Sequence, residues 1–162
     1  MSENLSIIER RRIEAELAKA IFDVMVAELG IARAREILAR GIIASAKKQA
    51  ASFRSSAPDG KTGLQSFADL LPLWMKDDAL QIEVLQRSDE HFDFNVTRCR
   101  YAEMYRAMGL GEIGDILSCN RDGAFCEGYD ARIKMTRTQT IMKGASHCDF
   151  RYVIADETKP LD

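Results

Sequence analysis

LQIEVLQRSDEHFDFNVT, residues 80–97, is the run that takes this chain out of the all-helical class. Leu80, Ile82 and Val84 alternate with Gln81, Glu83 and Leu85. After the polar turn Ser88, Asp89 and Glu90, Phe92, Phe94 and Val96 alternate with Asp93, Asn95 and Thr97. Successive strand side chains point to opposite faces, so the pattern predicts a β-hairpin with one buried face.

A second alternation lies downstream. Over residues 131–142, Ile133, Met135, Arg137, Gln139 and Ile141 share one face, and Lys134, Thr136, Thr138, Thr140 and Met142 share the other. Lys143, Gly144, Ala145 and Ser146 turn the chain, and residues 147–155 return. A four-residue loop sets Met142 opposite His147, Ile141 opposite Cys148 and Thr140 opposite Asp149, to within one register step.

Upstream the period changes to that of a helix. Ile7, Ile8, Ile13, Leu17, Ile21, Met25 and Val26 recur at three- and four-residue steps, which predicts an amphipathic helix over 6–29 closed by Gly30. A second helix is expected over 32–53, before the loop 55–60. So short a link makes the pair antiparallel, and their apolar faces need a partner, either the sheet or another subunit. Between helices and sheet, residues 63–70 read as a short helix stopped before Pro72, with Trp74 and Met75 leading into strands. Residues 99–108 and 110–117 read as two further helices, the second delivering Cys119 at or just beyond its end.

The expected fold is therefore α+β: a long N-terminal helical hairpin packed with an antiparallel sheet of about four strands in two hairpins, with short helices between them. One domain spans 1–162, divided into the helical hairpin 1–57 and an α+β catalytic part 58–162, since 162 residues fit one core. The net charge of −2, with acids and bases mixed along the chain, argues against a nucleic-acid surface. The basic triplet Arg10, Arg11 and Arg12, followed by Glu14 and Glu16, reads as a solvated helix face. There is no apolar run long enough for a membrane span and no signal-like N-terminus, so a cytoplasmic location and four free thiols are expected.

Cysteines 119, 126 and 148, His147, Asp122, Asp149 and Arg137 crowd into about a fifth of the chain. Cys119 and Asp122 form a C-x-x-D pair, placed on a loop after a helix. A thiol becomes a nucleophile only as thiolate, and a carboxylate three residues on can donate or accept its proton. His147, Cys148 and Asp149 bring base, thiol and carboxylate together at a strand start. Period two, however, puts His147 and Asp149 on one face and Cys148 on the other, where it could equally be a small core residue. Arg137, amid apolar strand neighbours, is either matched to a carboxylate such as Glu103 or Asp122, or holds an anionic ligand. The spacings among Cys119, Cys126, His147 and Cys148 lack the paired ligands of a zinc motif, so no cofactor is expected and zinc is the lesser alternative.

The series Cys99-x-Tyr101-Ala102-Glu103, Gly109-Leu110, Cys119-x-x-Asp122, Arg137-Thr138-x-Thr140, Gly144 and Cys148-Asp149-Phe150 resembles the L-2-amino-thiazoline-4-carboxylic acid hydrolase family over about residues 92–152. The resemblance implies hydrolytic opening of a small cyclic amidine or related C–N ring, converting L-2-amino-Δ2-thiazoline-4-carboxylate to N-carbamoyl-L-cysteine. It implies Cys119, Asp122, His147, Cys148 and Asp149 as the catalytic set. Tyr101, Glu103, Arg137, Thr138 and Thr140 would bind substrate, with Arg137 gripping the carboxylate. Cys119 or Cys148 thiolate attack, with Asp or His moving protons, is the preferred route. Two other classes compete: a sensor domain that binds a small molecule in the same pocket without turnover, and a partner-binding protein organised by the helical hairpin, a homo-oligomer among them.

Overall fold

A computed structural model describes residues 5–155. Helices α1 (Ile7–Leu29) and α2 (Ile31–Ser55) are joined by Gly30 alone. Gly30 sits at φ +80°, a left-handed conformation that costs glycine nothing and lets one residue reverse the chain. The antiparallel pairing is visible in a single bond: Arg11 Nη2 donates to Gln49 Oε1 at 2.7 Å, from positions equidistant from Gly30. Two short helices follow, α3 (Leu64–Ala68) and α4 (Leu71–Met75), then β1 (Leu80–Arg87), β2 (His91–Cys99) and α5 (Arg100–Ala107). A π turn, Asp115–Cys119, runs directly into α6 (Asn120–Tyr129), and β3 (Ile133–Thr136) and β4 (Cys148–Ile154) complete the chain. The sheet is antiparallel throughout, in the order β1-β2-β4-β3. Among the described residues, no helix is long and apolar enough to cross a membrane.

The expected hairpin over 80–97 is present, and Phe92, Phe94 and Val96 are buried as the alternation requires. On the edge strand β1 the ladder slips between Val84 and Gln86, so Leu85 bulges and both Val84 and Leu85 stay exposed. The second hairpin pairs differently from expectation. Ile133 lies opposite Ile154 and Thr136 opposite Arg151, two residues away from the anticipated register, and β3 ends at Thr136. The ladder stops because the Asp149 carboxylate accepts the N–H groups of Thr138 and Gln139, at 2.9 and 3.0 Å. The chain then curls into a 3-10 turn, Ile141–Lys143, with Thr140 as its cap and Gly144 at φ +96°.

Two helical boundaries also differ. Pro72 lies in the first turn of α4, where its missing N–H leaves no bond unmade, so Trp74 and Met75 are helical. The C-x-x-D pair, expected on a loop, instead lies at the entrance of a helix, α6. Gly128 explains how α6 fits: a Cβ there would lie 3.0 Å from Ala50 Cβ and 3.1 Å from Lys47 Cα. Its bare backbone lets α6 lie close against the Ala46 and Ala50 face of α2, the principal helix contact in the fold.

Burial is organised in two clusters. One joins α1 and α2 to α5 and the 110–117 segment through Phe22, Tyr101, Tyr105 and Leu110. The other packs Phe92, Phe94, Phe150 and Tyr152 of the sheet against Leu64, Phe125 and Tyr129. Trp74, Leu80 and Cys99 border both. On α1, Ile8, Ala15 and Phe22 turn inward, while Ile13, Leu17, Ile21 and Val24 form an exposed apolar stripe.

Candidate functional site

A cavity of about 120 Å³ lies at the seam between the two clusters. Its floor is the inner face of β2 and β4. Val96 pairs with Cys148 and Phe94 with Phe150, so period two brings Val96, Cys148, Phe94, Phe150 and Tyr152 onto one surface. The opposite wall comes from the π turn and the start of α6. A π turn inserts an extra residue and re-aims the side chains around it, and here Ser118, Cys119, Arg121, Asp122 and Phe125 all border the cavity. Cys99 and Tyr101 enter from the junction of β2 with α5, Trp74 from α4, and Arg11 and Gln49 from the helical hairpin.

Three thiols share this space, and burial governs each. Burial pushes the Cys99 thiol up to about 11, against the Ala102 N–H that donates to its sulfur at the start of α5. Cys119 is pushed up to about 12, by burial first and then by the charge of Asp122, with Arg137 pulling the other way. Cys148 is also raised by burial, opposed by the Ile141 N–H that donates to its sulfur at 3.2 Å and by Arg137. In the free protein at neutral pH all three are thiols. Cys119 keeps more accessible surface than Cys148, which is 6% exposed.

Asp122 and Arg137 form the ion pair beside them. Arg137 Nη1 donates to Asp122 Oδ2 at 2.6 Å, Nη2 donates to the Cys119 carbonyl at 3.1 Å, and the guanidinium lies over the Phe150 ring at 5.0 Å. The Arg137 side chain is 13% exposed and that of Asp122 29%, the latter bordering the cavity. Burial raises the Asp122 carboxyl above the usual range, although Arg137 opposes the shift. A carboxyl raised in this way holds a proton more readily than an ordinary aspartate, which suits it to take and return one.

The fold thus gathers Cys119, Asp122, Cys148, Arg137 and Tyr101 around one hollow, and leaves the other sequence candidates outside it. His147 packs in the loop, with Gln139 Nε2 3.3 Å and Ser146 Oγ 2.9 Å from its ring. Asp149 points to the opposite face of β4 and accepts from Thr138 Oγ1 at 2.5 Å as well as from the two N–H groups. Slight burial pushes its carboxyl up, but those bonds outweigh it and bring it to about 2. Thr138 is spent on this bond, and Thr140 Oγ1 accepts from Lys143 N at 3.3 Å. Glu103 pairs with Arg98 at the surface, so Asp122 is the carboxylate matched to Arg137. Cys126 lies outside the cavity, its thiol donating to the Gly123 carbonyl at 3.1 Å.

Among the polar cavity groups that sequence reasoning missed are Cys99, Arg11, Gln49, Ser118 and Arg121. Arg11 is the plainest correction, since the solvated face expected of the triplet holds for Arg10 and Arg12 but Arg11 is 4% exposed. Position 11 falls on the Ile8, Ala15 and Phe22 stripe, and that spacing was the available signal. Among the described residues, no group of three His, Cys, Asp or Glu side chains is arranged to hold a metal ion.

A family model described as L-2-amino-thiazoline-4-carboxylic acid hydrolase matches residues 10–152. The chain belongs to that family. The match takes in the helical hairpin as well as the cavity walls, so Arg11 and Gln49 lie within the family region. No curated protein matches the chain. Two solved structures are similar to the chain. One is trafficking protein particle complex subunit 3 from Naegleria fowleri, covalently bound to palmitic acid, at 9% identity and TM-score 0.53, covering 91% of this chain and 96% of that one. The other is the phenol-responsive sensory domain of the transcription activator PoxR with phenol, at 16% identity and TM-score 0.49, covering 86% of this chain and 73% of that one. The first likeness concerns architecture alone.

Proposed function

We propose that this member of the family hydrolyses a small cyclic amidine in the seam cavity, with Cys119 as nucleophile and Asp122 as its proton carrier. The observation that carries the reading is the convergence of Cys119, Asp122 and Arg137 on one largely apolar hollow, within a family named for such a hydrolysis. At roughly 10–15 Å³ for each water-sized group, a cavity of about 120 Å³ suits a single ring with two substituents. Cys119 is preferred to Cys148 because it is the more accessible thiol and lies one helical turn before Asp122.

Atom balance decides which bond breaks when L-2-amino-Δ2-thiazoline-4-carboxylate becomes N-carbamoyl-L-cysteine. The product keeps both nitrogens on the former amidine carbon, so the ring opens at C–S rather than C–N. The Cys119 sulfur adds to that carbon, its proton passes to Asp122, and the C–S bond breaks with the proton returned to the departing sulfur. Water then adds to the same carbon and expels the Cys119 thiol, leaving the urea carbonyl. Protonated amidines are cations, so the bound substrate itself supplies the positive charge that thiolate formation requires.

Ring opening at C–S frees one thiol per turnover, which a chromogenic disulfide reports while mass spectrometry identifies the urea. The wild type produces both signals from the thiazoline. Cys119→Ser lowers turnover by about three orders of magnitude or more, Asp122→Asn by roughly 10²–10⁴, and Cys148→Ser retains most of it. Full turnover in both cysteine variants ends the covalent route. A tight complex that yields no product on prolonged incubation identifies a ligand-binding domain instead.

A further inference from the structure

Arg137 is poorly placed to receive a ligand's carboxylate. Its two Nη groups donate to Asp122 and to the Cys119 carbonyl, its face covers Phe150, and an incoming anion would meet the Asp122 charge. The unspent positive charge lies elsewhere on the cavity wall. Arg121 is 8% exposed; its Nε donates to the Leu117 carbonyl at 2.8 Å and its Nη2 to Glu14 Oε2 at 3.0 Å. Its Nη1 is buried and has no hydrogen-bond partner among the described residues. Arg11 Nη1 donates to the same Glu14 oxygen at 2.7 Å, so two guanidinium groups crowd around one carboxylate.

Two buried cations sharing one anion leave an excess charge, and an unmade buried donor costs its full desolvation. Burial, then the charge of Arg11, hold Arg121 below its ordinary pKa, as expected of a cation without enough counter-charge. Both groups border the same hollow as Cys119 and Asp122. We infer that Arg121, with Arg11 behind it, receives the carboxylate of a small-ring carboxylic acid, its Nη1 being the first donor. The inference rests on the seam cavity being the substrate site. It orients the ligand: acid toward the helical hairpin, ring carbon toward Cys119.

Binding measured by calorimetry separates this subsite from the chemistry. The probes are two pairs: L-2-amino-Δ2-thiazoline-4-carboxylate and its carboxamide, and cyclopentanecarboxylate and its carboxamide. The wild type prefers each carboxylate by about 10- to 100-fold, the range expected of one charged hydrogen bond. Arg121→Met abolishes that preference while leaving carboxamide affinity within about threefold, whereas Arg137→Met preserves it. Glu14→Gln, which removes the competing carboxylate, strengthens carboxylate binding by several-fold and serves as the second variant if Arg121→Met does not fold. A wild type without preference, a preference that survives Arg121→Met or disappears in Arg137→Met, or unchanged binding in Glu14→Gln overturns the inference. Preference within the cyclopentane pair with no binding of the thiazoline pair keeps the anion subsite and removes the thiazoline reading.

Discussion

Replacing Arg137 by Met tests whether the Asp122 pair is the buried charge couple that the site requires. Exposures of 13% and 29% put the pair outside the surface regime, in which ion pairs contribute about 0–1 kcal/mol. Removing one partner of a buried pair costs about 3–5 kcal/mol, and the open face of Asp122 toward the cavity argues for the low end, about 3 kcal/mol at pH 8. For a chain of this size that is a fall in Tm of about 10 °C. The loss shrinks in acid. Because the folded Asp122 carboxyl titrates above its unfolded value, its burial costs nothing below the usual carboxylate range and costs most once pH has passed the raised folded value. Without Arg137 the folded value climbs further, so as pH falls toward the usual carboxylate range the variant comes to bury a neutral carboxyl and its loss shrinks toward about 1–2 kcal/mol, the worth of its hydrogen bonds. Urea unfolding of both proteins at pH 5 and pH 8 reads this difference directly. A loss that is equal at the two pH values, or below about 1 kcal/mol at pH 8, refutes the buried couple.

Two further outcomes follow from the scaffold. Gly128→Leu destabilises the fold by about 1–3 kcal/mol because Lys47 and Ala50 block the side chain, while Gly123→Ala, whose Cβ meets only Met135 Cε at 3.6 Å, is neutral or gains up to about 1 kcal/mol; thermal melts that rank the pair the other way contradict the α2–α6 contact. Asp149→Ala frees Thr138 and Gln139, costing about 1–2 kcal/mol and speeding amide exchange at both residues. Since the wild-type carboxylate is depressed to about 2, its contribution holds above the usual carboxylate range and fades as pH falls through 2, so identical acid limbs in the two proteins count against the role.

What could be read from the residues divides along the range of the forces involved. The alternation of Phe92, Phe94 and Val96 records burial, which imposes its period locally, and the strand is where that period puts it; the helical period likewise located α1, although Ile13, Leu17 and Ile21 of its apolar stripe stay exposed. The same rule separated inward Cys148 from outward Asp149. Helix α6 was hidden by its own packing: Gly128 lowers helix propensity because α2 leaves no room for a side chain, a fact recorded 80 residues away at Lys47 and Ala50. The register of β3 on β4 escaped because hydrogen bonds to Asp149 end the ladder, and alternation does not register a side chain that competes with the backbone. Arg137 had two candidate carboxylates in the sequence, and only the fold distinguishes Asp122 from Glu103.

The cavity sets its own chemistry at odds with its surroundings. Burial at the cavity drives Cys119 to about 12, five units from neutrality; Arg137 pulls the other way but is matched to Asp122 and does not offset the burial. Each unit is worth about 1.4 kcal/mol, so the free site holds the thiol in reserve by roughly 7 kcal/mol. A cationic amidine seated against Cys119 lowers that barrier, and a neutral ring of the same shape does not. On the proposed reaction, reactivity belongs to the complex rather than to the free protein. Native alkylation of Cys119 should be slow at pH 7 and rise only well above the range of an ordinary thiol. It should accelerate with a non-hydrolysable amidinium in the cavity, and with no uncharged isostere. Rapid alkylation of the empty site at pH 7 would remove the need for substrate assistance and, with it, the reason for a buried thiol here.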